Sequence, residues 1–76
     1  ISFLVSQSIP VTISIYDTSE RRKRLLIDRN VVDAGRNTFW WDGRDQFNER
    51  LVSDIYLVVF QAGSYLETEA IVIKND

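Results

Sequence analysis

The stretch Trp41-Asp42-Gly43-Arg44-Asp45 joins the bulky end of a predicted strand to a tight acidic turn. It follows Ala34-Gly35 and leads into the strongest apolar run of the chain, Ile55 to Phe60. A nearly continuous apolar run of this length, bounded by turn residues, is typical of a central strand in a sheet. This order of segments predicts a small β-sandwich, and it points to no particular chemistry.

The composition favours β structure along the whole chain. Its 76 residues include eight Val, eight Ile and nine aromatic residues, but only three Ala. β-branched and aromatic side chains pack well on a pleated surface. A chain of this length forms one domain at most. We therefore predict a single all-β domain over residues 1–76.

Several classes of function are excluded by residues that the chain lacks. Without Cys there is neither a disulfide framework nor a thiolate metal site. Without His the commonest general base and metal ligand are missing. A net charge of −2 argues against nucleic-acid binding. No apolar run approaches the roughly 20 residues of a membrane span, and no signal segment begins at Ile1. Because Met is absent, we expect the chain to begin inside a longer precursor, with targeting signals upstream.

Period-2 alternation predicts about seven short strands. It is clearest where Val11, Ile13 and Ile15 alternate with polar neighbours. Gly35 is expected to supply a positive φ or a tight bend, and Ala62-Gly63-Ser64 to form a hairpin turn. The predicted strands are Ile1 to Val5, Val11 to Tyr16, Lys23 to Asp28, Asn37 to Trp41, a brief pairing of Leu51-Val52, Ile55 to Gln61, and Tyr65 to Lys74.

The same alternation predicts which side chains fill the core. Trp41 is expected to lie between the two sheets, because the turn after it fixes it at a strand end. The predicted core residues are Phe3, Val11, Ile13, Ile15, Leu26, Phe39, Trp41, Tyr56, Val58, Phe60 and Val72.

Several motifs together match a known family across nearly the whole chain. They are Ile1-Ser2-Phe3, Pro10 to Asp17, Ala34-Gly35, Trp41 to Asp45, Leu51 to Tyr56, and Ile71 to Lys74. With these residues the chain resembles the Ig-like, fibronectin-III-like domain of the bacterial flagellar hook-capping protein. The version it resembles stands at the C-termini of secreted bacterial proteins and is read as a type IX secretion sorting domain. The resemblance implies an antiparallel Ig-like β-sandwich of about seven strands, with Trp41, Asp42, Gly43, Arg44, Asp45 and Tyr56 as structural motif residues.

The chain departs from the family pattern at four positions. Glu20, Asn48 and Asp54 replace glycines, and Lys23 stands where the family has an apolar residue. Asn and Asp tolerate the left-handed conformation better than other residues. We therefore expect this chain to differ from the family at two places, which are the first turn, at Glu20, and the inward register of the third strand, at Lys23.

Carboxylates cluster on the loop after Trp41. Asp42, Asp45 and Glu49 lie close in sequence, and we expect Asp17 nearby. Such loops offer oxygen ligands to Ca²⁺, but this spacing matches no calcium-loop pattern. An Asp before Gly more often accepts hydrogen bonds from its own turn amides. We favour turn capping over a metal site, and we predict no catalytic residue and no cofactor.

The basic run Arg21-Arg22-Lys23-Arg24 has two interpretations. It is either a contact for an anionic surface or a set of charges that blocks edge-to-edge aggregation. Alternate residues of a strand face opposite sides, so the four do not form one flat patch. We favour the second interpretation.

The central strand indicates a second apolar face. If Tyr56, Val58 and Phe60 point into the core, then Ile55, Leu57 and Val59 point away from it. A contiguous outward apolar surface usually marks a contact with another domain or a partner. The alternative is a bulge that makes these residues ordinary core. The candidate interface residues are Leu25, Ile27, Ile55, Leu57, Val59, Ile71 and Ile73, with Trp40 as an outward anchor.

These observations lead to three hypotheses about function. The first, implied by the resemblance, is a non-catalytic C-terminal module of a secreted or cell-surface bacterial protein. It would act in sorting or surface docking, and its partner would be the secretion machinery or an adjacent domain of the same precursor. The second is a structural domain of an extracellular assembly, such as a flagellar hook scaffold or a filament. The third and least favoured is a carbohydrate-binding module with Trp40 and Tyr65 as its stacking platform.

Overall fold

The chain is built from strands joined by turns. The computed structural model describes residues 1–74, and within them it contains six strands and no helix. Leu51-Val52, expected as a further strand, lies outside these six, next to an isolated bridge between Arg44 and Arg50. The strands are β1 (Ser2–Val5), β2 (Ile9–Asp17), β3 (Arg22–Val32), β4 (Gly35–Thr38), β5 (Asp54–Ala62) and β6 (Tyr65–Ile73).

The six strands form two antiparallel sheets. β1 pairs with β4 in a small sheet, and the larger sheet has the order β3-β2-β5-β6. The ring of Phe3, on β1, lies 4.6 Å from the ring of Phe60, on β5, which brings a side chain of the small sheet onto the large one. The all-β prediction is confirmed, and the two sheets are compatible with a β-sandwich.

The core lies on one face of the large sheet, around β2. Val11, Ile13 and Ile15 are completely buried, as their alternation predicts. Tyr56 and Val58 are buried beside them. The other predicted core residues, Phe3, Leu26, Phe39, Trp41 and Phe60, pack against this cluster while partly exposed. The prediction was wrong for Val72, which is 71% exposed. Buried apolar residues that were not predicted are Ile27, Val32, Leu51 and Ala62, and Ser14 is a buried polar one.

Strand β3 does not keep a regular alternation. Its pairing with β2 shifts register three times, and each shift inserts one extra residue into β3. Ile13 therefore pairs with Ile27 while Ser14 pairs with Leu25, which makes Leu26 an extra residue. A bulge reverses the facing of every residue beyond it. Ile27 is consequently buried in the core, and its predicted outward position is wrong.

The β5–β6 hairpin fixes which residues of β6 face the core. Gly63 and Ser64 form a two-residue loop between the paired residues Ala62 and Tyr65. Gly63 has φ +61, and a Cβ there would meet the Ile9 Cδ1 atom at 3.3 Å, so this turn favours glycine. The register continues without a break to Asp54 and Ile73. The odd-numbered residues of β6 therefore share the face of Tyr56, and Val72 points to the opposite side.

At two positions where the resemblance leads us to expect glycine, the chain adopts the backbone conformation that glycine favours. Glu20 has φ 66 and Asn48 has φ 64, both in the left-handed region. Asp54 is not among the residues with positive φ. Gly35 has φ +109, as predicted. Glu20, in the turn before β3, and Arg29, within β3 at φ 50, therefore hold side chains that are unfavourable in the left-handed region.

Candidate functional site

The loop after β4 is held by its own side chains. The Trp41 indole packs against the core, and its Nε1 atom donates a hydrogen bond to the Arg44 carbonyl at 3.1 Å. The Asp42 carboxylate accepts from the Arg44 amide at 3.0 Å. The Asp45 carboxylate accepts from the amides of Phe47 and Glu49 at 2.8 and 3.0 Å. The turn-capping interpretation of Asp42 and Asp45 is confirmed.

Arg24 ties this loop to the large sheet, a role that the sequence did not reveal. Its guanidinium donates to the carbonyl oxygens of Arg44 and Asp45 at 3.0 and 3.4 Å. It also contacts the Asp42 carboxylate at 3.5 Å. Arg24 pairs with Ile15, so the shifted register of β3 turns it toward the core side. No sequence pattern identifies this role of Arg24, because the side of the sheet to which its side chain points depends on the bulges on either side of it.

Two further residues of the basic run, Arg21 and Lys23, also have structural partners. Asp17 accepts hydrogen bonds from the amides of Ser19 and Arg21, both at 2.9 Å, and from the Arg21 side chain at 3.0 Å. The hydrogen bond from the Arg21 amide contributes most to lowering the pKa of Asp17 below its usual range. Lys23 lies 3.9 Å from the same carboxylate. These contacts occupy three residues of the basic run in the local turn and loop, so they do not form one patch.

The acidic residues do not converge on a common point. In the described part of the chain, no group of three or more Asp and Glu side chains is placed to hold a metal ion. The carboxylates of Asp17, Asp42 and Asp45 are each engaged with amides of their own turns. This arrangement fixes the backbone of the turns in which these three residues lie.

Tyr56 carries a buried polar contact at the start of β5. Its side chain is buried, and its hydroxyl donates a hydrogen bond to the Val52 carbonyl, four residues upstream, at 2.8 Å. Burial raises the pKa of Tyr56, and the negative charges of Asp54 and Asp17 raise it further. The phenol therefore stays protonated and keeps its donor role across the neutral range.

The large sheet has an apolar side that faces away from the core, which we call the outer face. Four of the predicted interface residues, Leu25, Ile55, Leu57 and Val59, lie on it and are half-buried or exposed. Direct pairing across the strands places Leu57 beside Tyr16 and Ala70, and Ile55 beside Val72. The apolar residues of the outer face are Tyr16, Leu25, Ile55, Leu57, Val59, Leu66, Ala70 and Val72, and the polar residues Thr12, Ser14, Gln61 and Thr68 lie on the same side.

Three of the predicted interface residues lie on the other side of the sheet. Ile27 is buried, and Ile71 and Ile73 pack against the core. In their place Leu66 and Val72, which are 62% and 71% exposed, complete the outer face. The sequence contained a signal for this arrangement of β6. A two-residue hairpin at Gly63-Ser64 pairs Ala62 with Tyr65, and continued pairing along the strands brings Tyr56 opposite Ile71, so these two residues face the same side.

Trp40 is exposed, but it does not belong to the outer face. It is 93% exposed and follows β4 of the small sheet. Trp40 and Tyr65 line two different cavities. The described residues therefore do not combine these two rings into one stacking platform.

Comparisons with known proteins add no relative of this chain. No family model, no curated protein and no solved structure matches it. The part of the chain that the structure describes has no helix long and apolar enough to cross a membrane.

Proposed function

We propose that this chain is a non-catalytic module of a secreted or cell-surface bacterial protein that acts in sorting or surface docking through protein–protein contacts. The outer face of the large sheet is the observation that carries the proposal. Monomeric soluble proteins rarely leave a contiguous apolar surface of this kind uncovered, and such surfaces mark contacts with another domain or a partner. The partner is the secretion machinery or an adjacent domain of the same precursor.

The Tyr56 contact supports the Ig-like part of the proposal. In Ig-like sandwiches a Tyr near the start of a strand donates its hydroxyl to the backbone a few residues upstream, an arrangement called a tyrosine corner. Here the hydroxyl of Tyr56 donates to Val52 from the third residue of β5. The motif residues Trp41 to Asp45 then serve as a structural element that closes one end of the sandwich.

The arrangement of polar groups supports a module without catalysis. The chain has no His and no Cys, so a nucleophile or a general base would have to come from Asp, Glu, Lys, Ser, Thr or Tyr. Asp17, Asp42 and Asp45 are bound to their own turn amides. A recognition surface therefore accounts for this molecule better than an active site does.

The test is an export assay with a reporter protein. The reporter carries a secretory signal peptide and ends in this chain, and it is expressed in a bacterium that has a type IX secretion system. We expect the reporter in the medium or on the cell surface. The double variant Ile55→Lys/Val72→Lys places two charges on the outer face at exposed positions and should retain the reporter inside the cell.

A matched control separates the face from general effects of added charge. Phe47 is 76% exposed on the loop after β4 and lies on no strand of the large sheet, so Phe47→Lys should be exported normally. Retention of the unaltered fusion would contradict the sorting role. Equal export of the double variant and the Phe47 control would contradict recognition through the outer face.

The alternative function, a structural domain of an extracellular assembly, uses the same face differently. There the outer face would be buried permanently against another subunit, because an apolar surface is most stable when it is covered. Sedimentation of the purified chain distinguishes the two. A monomer that is nevertheless exported agrees with sorting, whereas large particles that dissociate in the Ile55→Lys/Val72→Lys variant agree with assembly.

A further inference from the structure

Strand β1 leaves one edge of the small sheet open. Among the strands of residues 1–74, β1 pairs only with β4. The Phe39 amide donates to the Ile1 carbonyl at 2.7 Å, and the Ile1 amino group donates back to the Phe39 carbonyl at 2.9 Å. Hydrogen-bonded and non-hydrogen-bonded pairs alternate along an antiparallel ladder. The backbone groups of Ser2 and Leu4 therefore point away from β4, toward the open edge.

A groove runs along this edge, between β1 and β6. It contains an open cavity of about 250 Å³ and a smaller one of about 50 Å³, which share the Phe60 side chain. The Phe60 ring lies 4.6 Å from the ring of Phe3 and 6.2 Å from the ring of Tyr65, so the bottom of the groove is aromatic. The groove takes its main lining from Phe3, Val5, Phe60, Tyr65, Glu67 and Glu69.

One wall of the groove is acidic. Glu67 pairs with Phe60 and Glu69 pairs with Val58, so both point to the same side as the core. Both are nevertheless exposed, because the two-stranded sheet does not cover this part of the four-stranded one. Within residues 1–74 neither carboxylate has a basic partner. Two carboxylates beside an apolar floor favour a ligand that brings both apolar and basic side chains.

We propose that this groove binds an extended peptide segment of a partner protein by β-strand addition. The segment pairs with the backbone groups of Ser2 and Leu4 on the open edge of β1. Its alternate apolar side chains enter the groove against Phe3 and Phe60, and a Lys or Arg lies opposite Glu67 and Glu69. Main-chain pairing at a sheet edge, with alternate side chains in pockets, is an established mode of peptide recognition.

A second copy of this chain fits the groove less well than a basic partner segment. Neither β1 nor β6, two of its edge strands, contains a Lys or Arg. The basic edge strand β3 is interrupted by three register shifts, which prevent regular pairing along its length. β4, the other edge strand of the small sheet, contains Arg36 but has no apolar side chain for the floor of the groove. The groove would therefore meet a strand without compensating charge, one that cannot pair regularly, or one without apolar side chains.

The test uses two synthetic peptides and the ¹⁵N-labelled chain. Each nine-residue peptide has blocked ends and alternates Val with Thr, and two of the Thr positions carry Lys in one peptide and Glu in the other. We expect the Lys peptide to shift the amide signals of Ser2 and Leu4 and to give interstrand contacts with them. The Glu peptide should bind about fivefold more weakly, the size expected for exposed charge pairs.

Three variants locate the binding. Glu67→Lys/Glu69→Lys should reverse the preference between the two peptides, whereas the control Glu49→Lys, on the loop after β4, should leave it unchanged. Leu4→Pro removes an outward-pointing N–H at a position where an edge strand accepts proline. This variant should bind the Lys peptide at least fivefold more weakly than the wild type, and its melting temperature should be unchanged.

Several results would overturn the proposal. One is the absence of any shift at millimolar Lys peptide. Another is a set of shifts confined to the outer face or to β3. Equal affinity for the two peptides would remove the role of Glu67 and Glu69, and self-association through β1 without added peptide would identify a second copy as the occupant.

Discussion

Replacement of Tyr56 by Phe tests the contact that joins β5 to the loop before it. The side chain is only 2% exposed, and its hydroxyl donates to the Val52 carbonyl at 2.8 Å. Phe keeps the aromatic ring and its packing, so the apolar burial is nearly unchanged. The substitution therefore removes one hydrogen bond and leaves the carbonyl oxygen without its donor.

The expected loss follows from those two effects. A net hydrogen bond contributes about 0.5–1.5 kcal/mol, and a buried acceptor left without a partner costs about 1–3 kcal/mol. Val52 itself is 72% exposed, so water can rehydrate its carbonyl in part. We therefore expect a loss of about 1–2 kcal/mol in the free energy of unfolding. For a domain of this size, that corresponds to a decrease of about 5–15 °C in the melting temperature.

The assay is urea unfolding followed by tryptophan fluorescence, with Tyr65→Phe as the matched control. Tyr65 is 57% exposed, and its hydroxyl donates only to a Glu67 carboxylate oxygen, at 3.2 Å. Its replacement should change the free energy of unfolding by less than about 0.5 kcal/mol. A loss for Tyr56→Phe no larger than that of this control would refute the tyrosine-corner reasoning.

The pH dependence gives a second measure of the same contact. The pKa of Tyr56 is raised in the folded chain, so the protonated phenol favours the native state. Its contribution is fully present below the unfolded value of about 10 and is lost as the pH rises through the folded value. The difference in stability between the wild type and Tyr56→Phe should therefore narrow above pH 10. A constant difference up to pH 11 would contradict this origin.

Four further predictions concern the turns and the core. Glu20→Gly should raise the free energy of unfolding by about 0.5–1 kcal/mol, because Glu20 occupies the left-handed region. Asn48→Gly should raise it less, and urea titrations measure both changes. The lowered pKa of Asp17 makes its carboxylate stabilising above about pH 4, so the difference in melting temperature between wild type and Asp17→Asn should shrink as the pH falls below that value. Arg24→Met should cost about 1 kcal/mol and increase amide exchange in the loop that it holds, whereas unchanged exchange would contradict its role. Ile13→Ala, at a completely buried position, should lower the free energy of unfolding measured by calorimetry by about 2–5 kcal/mol, whereas Ile13→Val should lower it by about 0.5–1.5 kcal/mol. Similar losses for the two variants would argue against a packed core at this position.

The sequence by itself determined the features that depend on near neighbours. The alternation around Ile13 predicted strand β2 and its buried face, and Tyr56, Val58 and Phe60 predicted the inward side of β5. The Asp42 and Asp45 turns were predictable because an Asp side chain bonds to amides two to four residues ahead of it. In each case the physical cause lies within a few residues of the one that it positions.

The tertiary structure alone decided the features that depend on register. One extra residue in a strand reverses the facing of all that follow, and no apolar pattern distinguishes a bulged Leu26 from a regular one. The three bulges of β3 bury Ile27 and turn Arg24 toward the loop that it holds. The open groove beside Glu67 and Glu69 exists because two strands are laid over four, and that difference in width appears only when the sheets are assembled.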